Sequence, residues 1–437
     1  MSASAVPNDV SHPLPSPALS PRPASTQAAA GTTARTAPAA GLRAADGERR
    51  RTSASAVLRA VLEHGPVARS TVARITGLSP ASVTDYCARF AALGLIREAQ
   101  GTSRPSGAGR PHVPVEVDRT RFVVGGVHVA VPYTTVAVLD LCGRVIAQRR
   151  LPHDGTEPDR VLATAAEALG ALRAAHAPEA APLGVGVATG GWVDPGSGTV
   201  IEHELLGWHD VAVRDLLARH TTLPVHLDSH SRALANGERL FGHARSGRSA
   251  LHLFVGNVVD SAFTTHDQVH YGPRSQAGAI AHLPVAGGTR RCRCGRTGCL
   301  QAEASELTLC RRALDAGVID APDPMLVLRA AADGHPVAVR LLLERARLVG
   351  RAVGLLLDVL NPESVVVVEL GVIHRADCLA ALREEVTAHT WANFDAAEVV
   401  VPTSFPDAVL ATAGGSVALD VLYRDPLGVA AAGMRHR

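Results

Sequence analysis

One short stretch of this 437-residue chain concentrates side chains that bind metal ions. The stretch HLPVAGGTRRCRCGRTGCLQ, residues 282–301, holds one histidine and three cysteines in the pattern H-x9-C-x-C-x4-C. Soft thiolates with one imidazole at such short spacing are typical of a closed tetrahedral zinc site, which has no open position for water and is structural. The alternative is a chance gathering on one loop. The predicted zinc ligands are His282, Cys292, Cys294 and Cys299.

A second pattern, near the N-terminus, predicts DNA binding. Residues 67–96, VARSTVARITGLSPASVTDYCARFAALGLI, read as two short amphipathic helices separated by TGLS. Gly77 suits a tight turn, Ser79 suits a helix N-cap, and Pro80 suits the first helical position. The next residues read as strand, arginine-bearing loop and strand, so residues 51–118 are predicted to form a winged helix-turn-helix. The alternative is a small domain with a structural role alone.

The winged helix-turn-helix hypothesis assigns two kinds of DNA contact. Arginines on the first short helix and on the loop are expected to meet phosphates, and polar residues of the second helix are expected to face the bases. Asp85 either accepts a hydrogen bond from a cytosine amino group or orients an arginine. The predicted DNA-binding residues are Arg69, Arg74, Ser79, Ser82, Thr84, Asp85, Arg89, Arg104 and Arg110.

Composition limits the other function classes. The net charge is +2, apolar residues make up 46% of the chain, and charged residues make up 19%. No apolar run reaches the roughly 18–20 residues of a membrane helix, and no secretory signal opens the chain, so we expect a cytoplasmic, nucleoid-associated protein without a membrane partner. The seven cysteines are an odd number, which fits a reducing compartment. Residues 1–50 are rich in Pro, Ala and Ser and are predicted to be disordered.

The remainder of the chain alternates strands and helices. Residues 121–151 read as three consecutive strands, a helical pattern follows, and a buried strand then runs into a glycine-rich turn. A similar order recurs further on, with a hairpin, a long helix and the buried strand SVVVV. We therefore predict two α/β lobes, the first over residues 119–235 and the second, with the zinc loop, over residues 236–437.

Several motifs together resemble the ROK family, which comprises repressors, open reading frames and sugar kinases, and in particular its transcriptional regulators. The motifs are GLSPASVTDY with GAGRP, VDPGSGTV, ELLGWHDV, SRALANGERLFG, AGAIAH and CRCGRTGCLQAEAS, and they span roughly residues 53–425. The resemblance implies an α/β chain with an N-terminal winged helix-turn-helix and a two-lobed actin-like (ribonuclease-H-like) ATPase-type fold. It also implies that the Cys3His zinc lies beside a sugar pocket.

The chain departs from the kinases of this family where their chemistry takes place. Their catalytic aspartate precedes a Glu-x-x-Phe-Gly motif by eight residues, and His230 stands there in this chain. Their glycine-rich phosphate loop is replaced by GNVVDSA, which adds the negative charge of Asp260, and Glu369 replaces a glycine of a second nucleotide-binding stretch. The resemblance therefore implies no catalytic residue, no ATP binding and no enzyme activity.

The sugar contacts of the family are also depleted. Two glutamates and an asparagine of the kinase motifs correspond here to Ala279, Gln301 and Glu204. Either the specificity for an effector has drifted or effector binding has been lost. The residues that the resemblance places at the effector pocket are Glu204, Asp228, His230, His282 and Gln301.

The sequence thus favours a sequence-specific DNA-binding transcriptional regulator, a repressor, with a degenerate kinase-like body that senses a sugar or sugar derivative. It should act as a homodimer or homotetramer on a double-stranded operator, with two-fold symmetry favouring a palindrome. Two alternatives stay open. One is an ATP-dependent sugar kinase with an appended DNA-binding domain, which would transfer phosphate; the other is a ligand-independent dimeric DNA-binding protein, which no sugar would stabilise.

Overall fold

Three helices and a two-stranded sheet form the first part of the structure, a computed structural model that describes residues 38–99, 113–242, 249–265 and 268–433. Strands β1 and β2 pair antiparallel, with Arg97 opposite Glu116. The elements are α1 (Pro38–His64), α2 (Arg69–Thr76), α3 (Pro80–Leu93), β1 (Ile96–Glu98) and β2 (Val115–Val117).

The turn between α2 and α3 has the predicted chemistry. Gly77 ends α2 in the left-handed conformation at φ 68°. The Ser79 hydroxyl caps α3 by accepting from the Ser82 backbone N–H at 3.1 Å, and Pro80 begins the helix. The capping prediction is therefore confirmed.

Helix α1 corrects one predicted boundary. It begins at Pro38, so residues 38–50 are helical rather than disordered. This segment is rich in Ala and Arg, which are strong helix formers, and it continues into a helix stabilised by packing. The rest of the predicted tail, residues 1–37, lies outside the described residues.

A five-stranded sheet in the order β10-β6-β3-β4-β5 forms the first lobe. Strands β3, β4 and β5 form an antiparallel meander. Strand β6 pairs in parallel with β3, and β10 pairs in parallel with β6. Its elements are β3 (Phe122–Val129), β4 (Tyr133–Asp140), β5 (Val145–Pro152), α4 (Pro158–His176), β6 (Ala181–Thr189), β7 (Trp192–Asp194), β8 (Thr199–His203), β9 (Trp208–Val211), α5 (Val213–Leu217), β10 (Val225–Ser229) and α6 (His230–Phe241).

A second five-stranded sheet, in the order β13-β12-β11-β14-β15, repeats this plan. None of the described helices is long and apolar enough to cross a membrane. The remaining elements are β11 (Ser249–Val255), β12 (Val259–Thr265), β13 (Gln268–Val269), α7 (Leu300–Ala304), α8 (Glu306–Asp315), α9 (Pro324–Ala332), α10 (Pro336–Leu360), β14 (Ser364–Glu369), α11 (Leu370–His374), α12 (Ala376–His389), α13 (Ala396–Val399), β15 (Val400–Pro402), α14 (Val409–Arg424) and α15 (Pro426–Gly433).

The C-terminal helices return to the first lobe, which corrects the predicted division between residues 235 and 236. Helix α14 packs on β3, β4 and β6, and a Cβ on Gly126 would lie only 2.5 Å from the Gly415 nitrogen. Helix α6, which contains the predicted boundary, packs against α14 and against β11 and β12 of the second sheet. The long-range return of α14 has no local signature in the sequence.

Helix α14 also joins the N-terminal helices to the first lobe. Buried apolar residues of α1 and α3 form one continuous cluster with residues of β4 and α14. The Tyr423 hydroxyl donates to the Leu141 carbonyl at 2.8 Å, and the Ser55 hydroxyl of α1 donates to the Tyr423 carbonyl at 2.6 Å. A displacement of α14 would therefore change the contacts of α1 directly.

Candidate functional site

The four predicted zinc ligands converge in space. One ligand atom from each of His282, Cys292, Cys294 and Cys299 lies within 4.8 Å of all the others. The Cys292 Sγ–His282 Nδ1 and Cys294 Sγ–Cys299 Sγ distances are both 3.6 Å. A tetrahedral zinc with Zn–S bonds of about 2.3 Å holds its sulfur ligands about 3.8 Å apart, so the donor set fits this ion.

A buried glutamate and close backbone contacts hold the metal-ligand loop. Glu303, 4% exposed, accepts hydrogen bonds from the backbone N–H groups of Thr289 and Arg290 and from the Arg290 guanidinium. Gly288 and Gly298 approach so closely that a Cβ on Gly288 would lie 2.8 Å from the Gly298 Cα. These contacts position the ligands independently of the metal ion.

Two thiols of the cluster, Cys294 and Cys299, have pKa values shifted in opposite directions. Hydrogen bonds from Arg296 lower the pKa of Cys294 to about 7, whereas burial raises the pKa of Cys299 to about 11. Metal binding requires deprotonated thiols, and a bound cation favours that form. The cluster is therefore suited to a divalent cation that stabilises all three thiolates together.

His230 lies at the start of α6, in the cleft between the two sheets, and is 2% exposed. Its ring stacks parallel to that of His128 at 5.7 Å and contacts the Phe254 ring at 4.0 Å. Its Nε2 lies 3.9 Å from the nearer Asp260 oxygen and has no hydrogen-bond partner among the described residues. Burial, with the neighbouring His128, lowers the pKa of His230 well below its usual value, so the imidazole is neutral.

Asp228 is bonded on both oxygens by the protein itself. The Arg232 Nε donates to Oδ1 at 2.6 Å, and the Tyr271 hydroxyl donates to Oδ2 at 2.8 Å. Arg232 is itself held by the Ser275 and Val193 carbonyls. Burial raises the pKa of Tyr271, which keeps the phenol protonated as a donor. The carboxylate that sequence reasoning placed in an effector pocket thus belongs to a closed network.

Two other predicted pocket residues also have protein partners. Gln301 accepts from the Val259 N–H at 2.7 Å and donates to the Asn257 carbonyl at 2.6 Å. Glu204, which is exposed, pairs with Arg293 of the metal-ligand loop at 3.2 Å. Asn257 bridges the cleft by donating to the Val131 carbonyl at 2.6 Å. The predicted pocket residues therefore lie around one cleft, and His282 lies in the metal cluster beside it.

Carboxylates occupy the stretches that resemble nucleotide-binding loops. Burial raises the pKa of Asp260 to about 6, although Ser231 donates to it at 2.9 Å. Glu369 is 1% exposed and forms a buried ion pair with Arg345, whose other nitrogens donate to the Ala304 and Val255 carbonyls. The Asp260 carboxylate would oppose the charge of bound phosphates, and the Arg345 guanidinium is already used by Glu369 and the two carbonyls.

Helix α3 presents the predicted base-contacting residues on its exposed side. Thr84, Asp85 and Arg89 are exposed, and the buried side of the helix carries Val83 and Phe90. Asp85 lies 4.0 Å from the Arg89 guanidinium, which favours the role of orienting this arginine.

The arginines predicted to contact phosphates lie at several positions. Arg69 begins α2 with its guanidinium 3.8 Å from Glu98 of β1, and Arg74 is exposed on the last turn of α2. Arg104 and Arg110 lie outside the described residues.

Sequence reasoning missed three residues that organise the site: Arg232, Arg345 and Glu303. Arg232 had a signal, because it follows Asp228 by four residues across a strand-to-helix junction. Arg345 had none, since its partner Glu369 lies 24 residues away on another element. Glu303 follows the last cysteine by one helical turn, a spacing that could have suggested an anchor for the loop.

Comparison with known proteins places this architecture in a family. The ROK family pattern matches residues 124–419. A protein named as a transcriptional regulator in Mycobacterium tuberculosis is 33% identical over 390 residues, covering 86% of this chain and 87% of the relative.

Two solved structures share the fold. A ROK family transcriptional regulator, described as a homologue of the Escherichia coli MLC protein, superposes with a TM-score of 0.73 at 20% identity, over 88% of this chain and 99% of that one. A ROK family glucokinase from Streptomyces griseus, in complex with glucose and AMPPNP, superposes with a TM-score of 0.58 at 22% identity, over 68% of this chain and 98% of that one. The shared architecture is the mixed α/β, actin-like fold of ROK sugar kinases. This chain belongs to the ROK family.

Proposed function

We propose that this protein is a sequence-specific DNA-binding transcriptional regulator, a repressor, whose kinase-like body has no catalytic role. The observation that carries the proposal is the arrangement of α1–α3, β1 and β2 ahead of a ROK body: a capped helix preceded by a left-handed glycine turn and followed by an antiparallel strand pair. This is the order of elements in a winged helix-turn-helix. Relatives named as transcriptional regulators support the same function.

In this proposal α3 enters the major groove with Thr84 and Asp85 toward the bases. Ser79 and Ser82 stand at the N-terminus of the helix, whose free N–H groups favour a phosphate. Arg69, Arg74 and Arg89 neutralise phosphates on either side. Arg104 and Arg110, which lie outside the described residues, stay predicted phosphate contacts. The protein would bind as a homodimer or homotetramer in the cytoplasm, with palindromic half-sites one helical turn or a multiple apart.

The absence of phosphoryl transfer is a further part of this proposal. The position of the family's catalytic base carries a neutral, buried His230, and Asp228 is neutralised by Arg232. Arg345 and Glu369 form a buried ion pair where the resemblance predicts a nucleotide. A general base must reach the substrate hydroxyl, and a nucleotide needs donors rather than carboxylates around its phosphates.

Zinc is proposed as a structural ion held by His282, Cys292, Cys294 and Cys299. The ion would supply no substrate position, because four protein ligands complete its tetrahedral shell. Its role here is to stabilise the loop whose Arg293 pairs with Glu204 across the cleft.

The cleft network makes an ordinary hexose a poor effector for this chain. A sugar bound as in the kinases would have to replace the protein partners of Asp228 and Gln301 with its own hydroxyls. Exchanging satisfied hydrogen bonds for new ones contributes little net free energy. A sugar derivative with other polar groups therefore remains the proposed ligand class for the cleft.

The test is a genomic pull-down with the full chain at near-physiological salt, repeated with Arg69 and Arg74 both changed to alanine. Recovery of a few palindromic fragments by the wild type, lost with the double variant, supports the regulator. A variant with exposed Arg311 of α8 and exposed Arg329 of α9 both changed to alanine is the matched control for charge and should recover the same fragments. Binding that is blind to sequence and disappears as salt rises would contradict the proposal. Phosphorylation of any hexose with ATP would contradict the inactive body.

A further inference from the structure

A cavity of about 430 Å³ lies at the junction between the N-terminal helices and the first lobe, away from the kinase-like cleft. Its walls are the turn between β4 and β5, the end of α6, the loop before α14 and the first turn of α14. Cavities of about 300–1,000 Å³ are the usual size of small-molecule sites. The lining residues are Arg119, Cys142, Gly143, Arg144, Val145, Phe241, Ser404, Phe405, Pro406, Asp407, Ala408 and Thr412.

One arginine of this junction cavity can pair with an anion. Arg119 and Arg144 line the cavity with Asp407, and the nearby Asp140 carboxylate attracts both arginines, so these four charges sum to zero. Asp140 also accepts from the backbone N–H groups of Cys142 and Arg144. The Arg144 side chain is exposed, and no carboxylate oxygen lies within 4 Å of its guanidinium in the part of the chain that the structure describes. A ligand carboxylate would therefore pair with Arg144.

The remaining lining favours a ligand with an apolar part. Phe241, Phe405 and Val145 supply aromatic and aliphatic surface. Thr412, 1% exposed, carries a hydroxyl with no hydrogen-bond partner among the described residues. A buried hydroxyl without a partner is costly, and a ligand oxygen is one group that could satisfy it.

The junction cavity is mechanically linked to the proposed DNA-binding helices. Phe241, on its wall, contacts the Tyr423 ring edge-on with centroids 6.2 Å apart. Tyr423 in turn accepts the hydrogen bond from Ser55 of α1. Arg119 lies in the segment between β2 and β3 that connects the two parts of the chain. A ligand that moves Phe241 or Arg119 would shift both connections.

We propose that this junction cavity is an effector site for a small monocarboxylate with a hydrocarbon or aromatic part, and that its occupancy changes DNA affinity. The first half of this proposal, that the cavity binds a monocarboxylate, is independent of DNA binding. The second half, that occupancy changes DNA affinity, rests on the proposed regulator function. The carboxylate pairs with Arg144 and Arg119, and the apolar part lies between Phe241 and Phe405. Such a ligand changes DNA affinity only if it binds the DNA-bound and the DNA-free arrangements of the N-terminal helices with different affinities.

The test uses full-length protein with sodium salts of straight-chain monocarboxylates from butanoate to dodecanoate, with benzoate and phenylacetate. Primary alcohols with the same carbon skeletons serve as neutral controls. Melting temperature and calorimetric Kd are measured for the wild type and for Arg144→Gln, Ala408→Phe and Arg149→Gln. Arg149 is an exposed arginine on the same strand region that does not line the junction cavity.

We expect at least one carboxylate to raise the melting temperature while its alcohol does not. Its Kd should weaken about tenfold or more in Arg144→Gln and in the cavity-filling Ala408→Phe, and stay unchanged in Arg149→Gln. The proposal is overturned if no carboxylate binds, if the alcohols bind equally well, or if Arg149→Gln weakens binding as much as Arg144→Gln. Because Arg144 is exposed, its variant keeps the test valid if Ala408→Phe fails to fold.

Operator affinity with and without the bound carboxylate tests the second half. A change of severalfold or more supports regulation, and an unchanged affinity overturns it. If the protein binds the acid but no specific DNA, the proposed function fails while the site stands. If it binds operator DNA but no acid, only this inference fails.

Discussion

The metal cluster and the kinase-like cleft lie side by side, yet their polar groups behave in opposite ways. In the cluster, three sulfurs and an imidazole nitrogen point at one another within 4.8 Å, an arrangement that a shared cation stabilises. In the cleft, Asp228, Gln301 and Glu369 each have a protein partner. The cluster calls for a bound cation, whereas these polar groups of the cleft are already paired, although the His230 Nε2 has no partner among the described residues.

This contrast shows how one fold can hold a site that needs a bound ion beside a cleft whose carboxylates are paired within the protein. A bound cation would stabilise the three thiolates of the cluster together, because metal binding favours the deprotonated thiols. The buried carboxylates of the cleft need partners within the protein, because an unpaired buried carboxylate is strongly destabilising. Arg232 and Arg345 perform that role here.

The largest effect should follow from breaking the cluster. In Cys299→Ser we expect metal content to fall from about one zinc per chain to nearly none, and the melting temperature to fall by on the order of 10 °C. Metal analysis and calorimetry measure both. Cys310→Ala, at a buried cysteine outside the cluster, should keep its metal. Full metal content in Cys299→Ser would contradict the assignment.

The next effect tests the cleft. Arg345→Met leaves Glu369 buried without its partner and should lower the free energy of unfolding by about 3–5 kcal/mol. Adding Glu369→Gln to that variant should recover part of the loss. Urea unfolding of the two variants and the wild type provides the comparison. A cost below about 1 kcal/mol for the single variant would show that the pair does not hold the cleft.

The third prediction concerns how the free energy of unfolding depends on pH through the buried histidines. Burial lowers the folded-state pKa of His128 and His252 to about 3 and of His203 to about 4. An unfolded histidine titrates near pH 6.5, so the unfolded state binds more protons below that pH and stability falls as pH drops from about 6.5 toward 4. The pKa of Asp260, raised to about 6, and the raised pKa values of Asp140 and Glu306 oppose this loss.

Replacing one of these histidines gives the size of the effect. His252→Leu should reduce the loss of stability by up to about 1.4 kcal/mol per pH unit in that window. The exposed His209→Gln is the matched control and should leave the slope unchanged. Equal slopes in both variants would mean that the buried imidazole does not resist protonation.

The smallest effect concerns the link between the two regions. Glu204 and Arg293 are both more than half exposed, at 52% and 69%, so Glu204→Gln should change the free energy of unfolding by no more than about 0.5 kcal/mol. If a sugar derivative binds the cleft through Glu204, the same variant should abolish its stabilising effect. Thermal melts with and without a panel of such compounds distinguish the two roles.

Local spacing predicted much of this molecule. The cap at Ser79 and Pro80, the metal cluster, and the three strands of the first meander depend on neighbours in the sequence, and each is found where expected. The return of α14 to the first lobe and the pairing of Arg345 with Glu369 depend on tertiary contacts. Such contacts follow from the whole fold, so no local pattern could reveal them.

The start of α1 was misplaced for a related reason. A lack of large apolar residues predicts disorder for this segment, although its alanines and arginines favour a helix once a packed helix follows. The effector pocket shows the same limit of sequence prediction. The residue types predicted which residues lie at the pocket, but they did not predict the hydrogen-bond partners of those residues within the protein.

The most direct measurement for the central claim is the ratio of equilibrium affinities for a recovered fragment and for the same fragment with its half-sites shuffled. It should be made with the full chain at about 150 mM salt, where non-specific phosphate contacts are weak. A regulator that reads bases through α3 predicts a ratio of at least about 10³. A ratio within about tenfold, unaffected by Thr84→Ala, would contradict sequence-specific binding and leave the ROK body as the functional part of the chain.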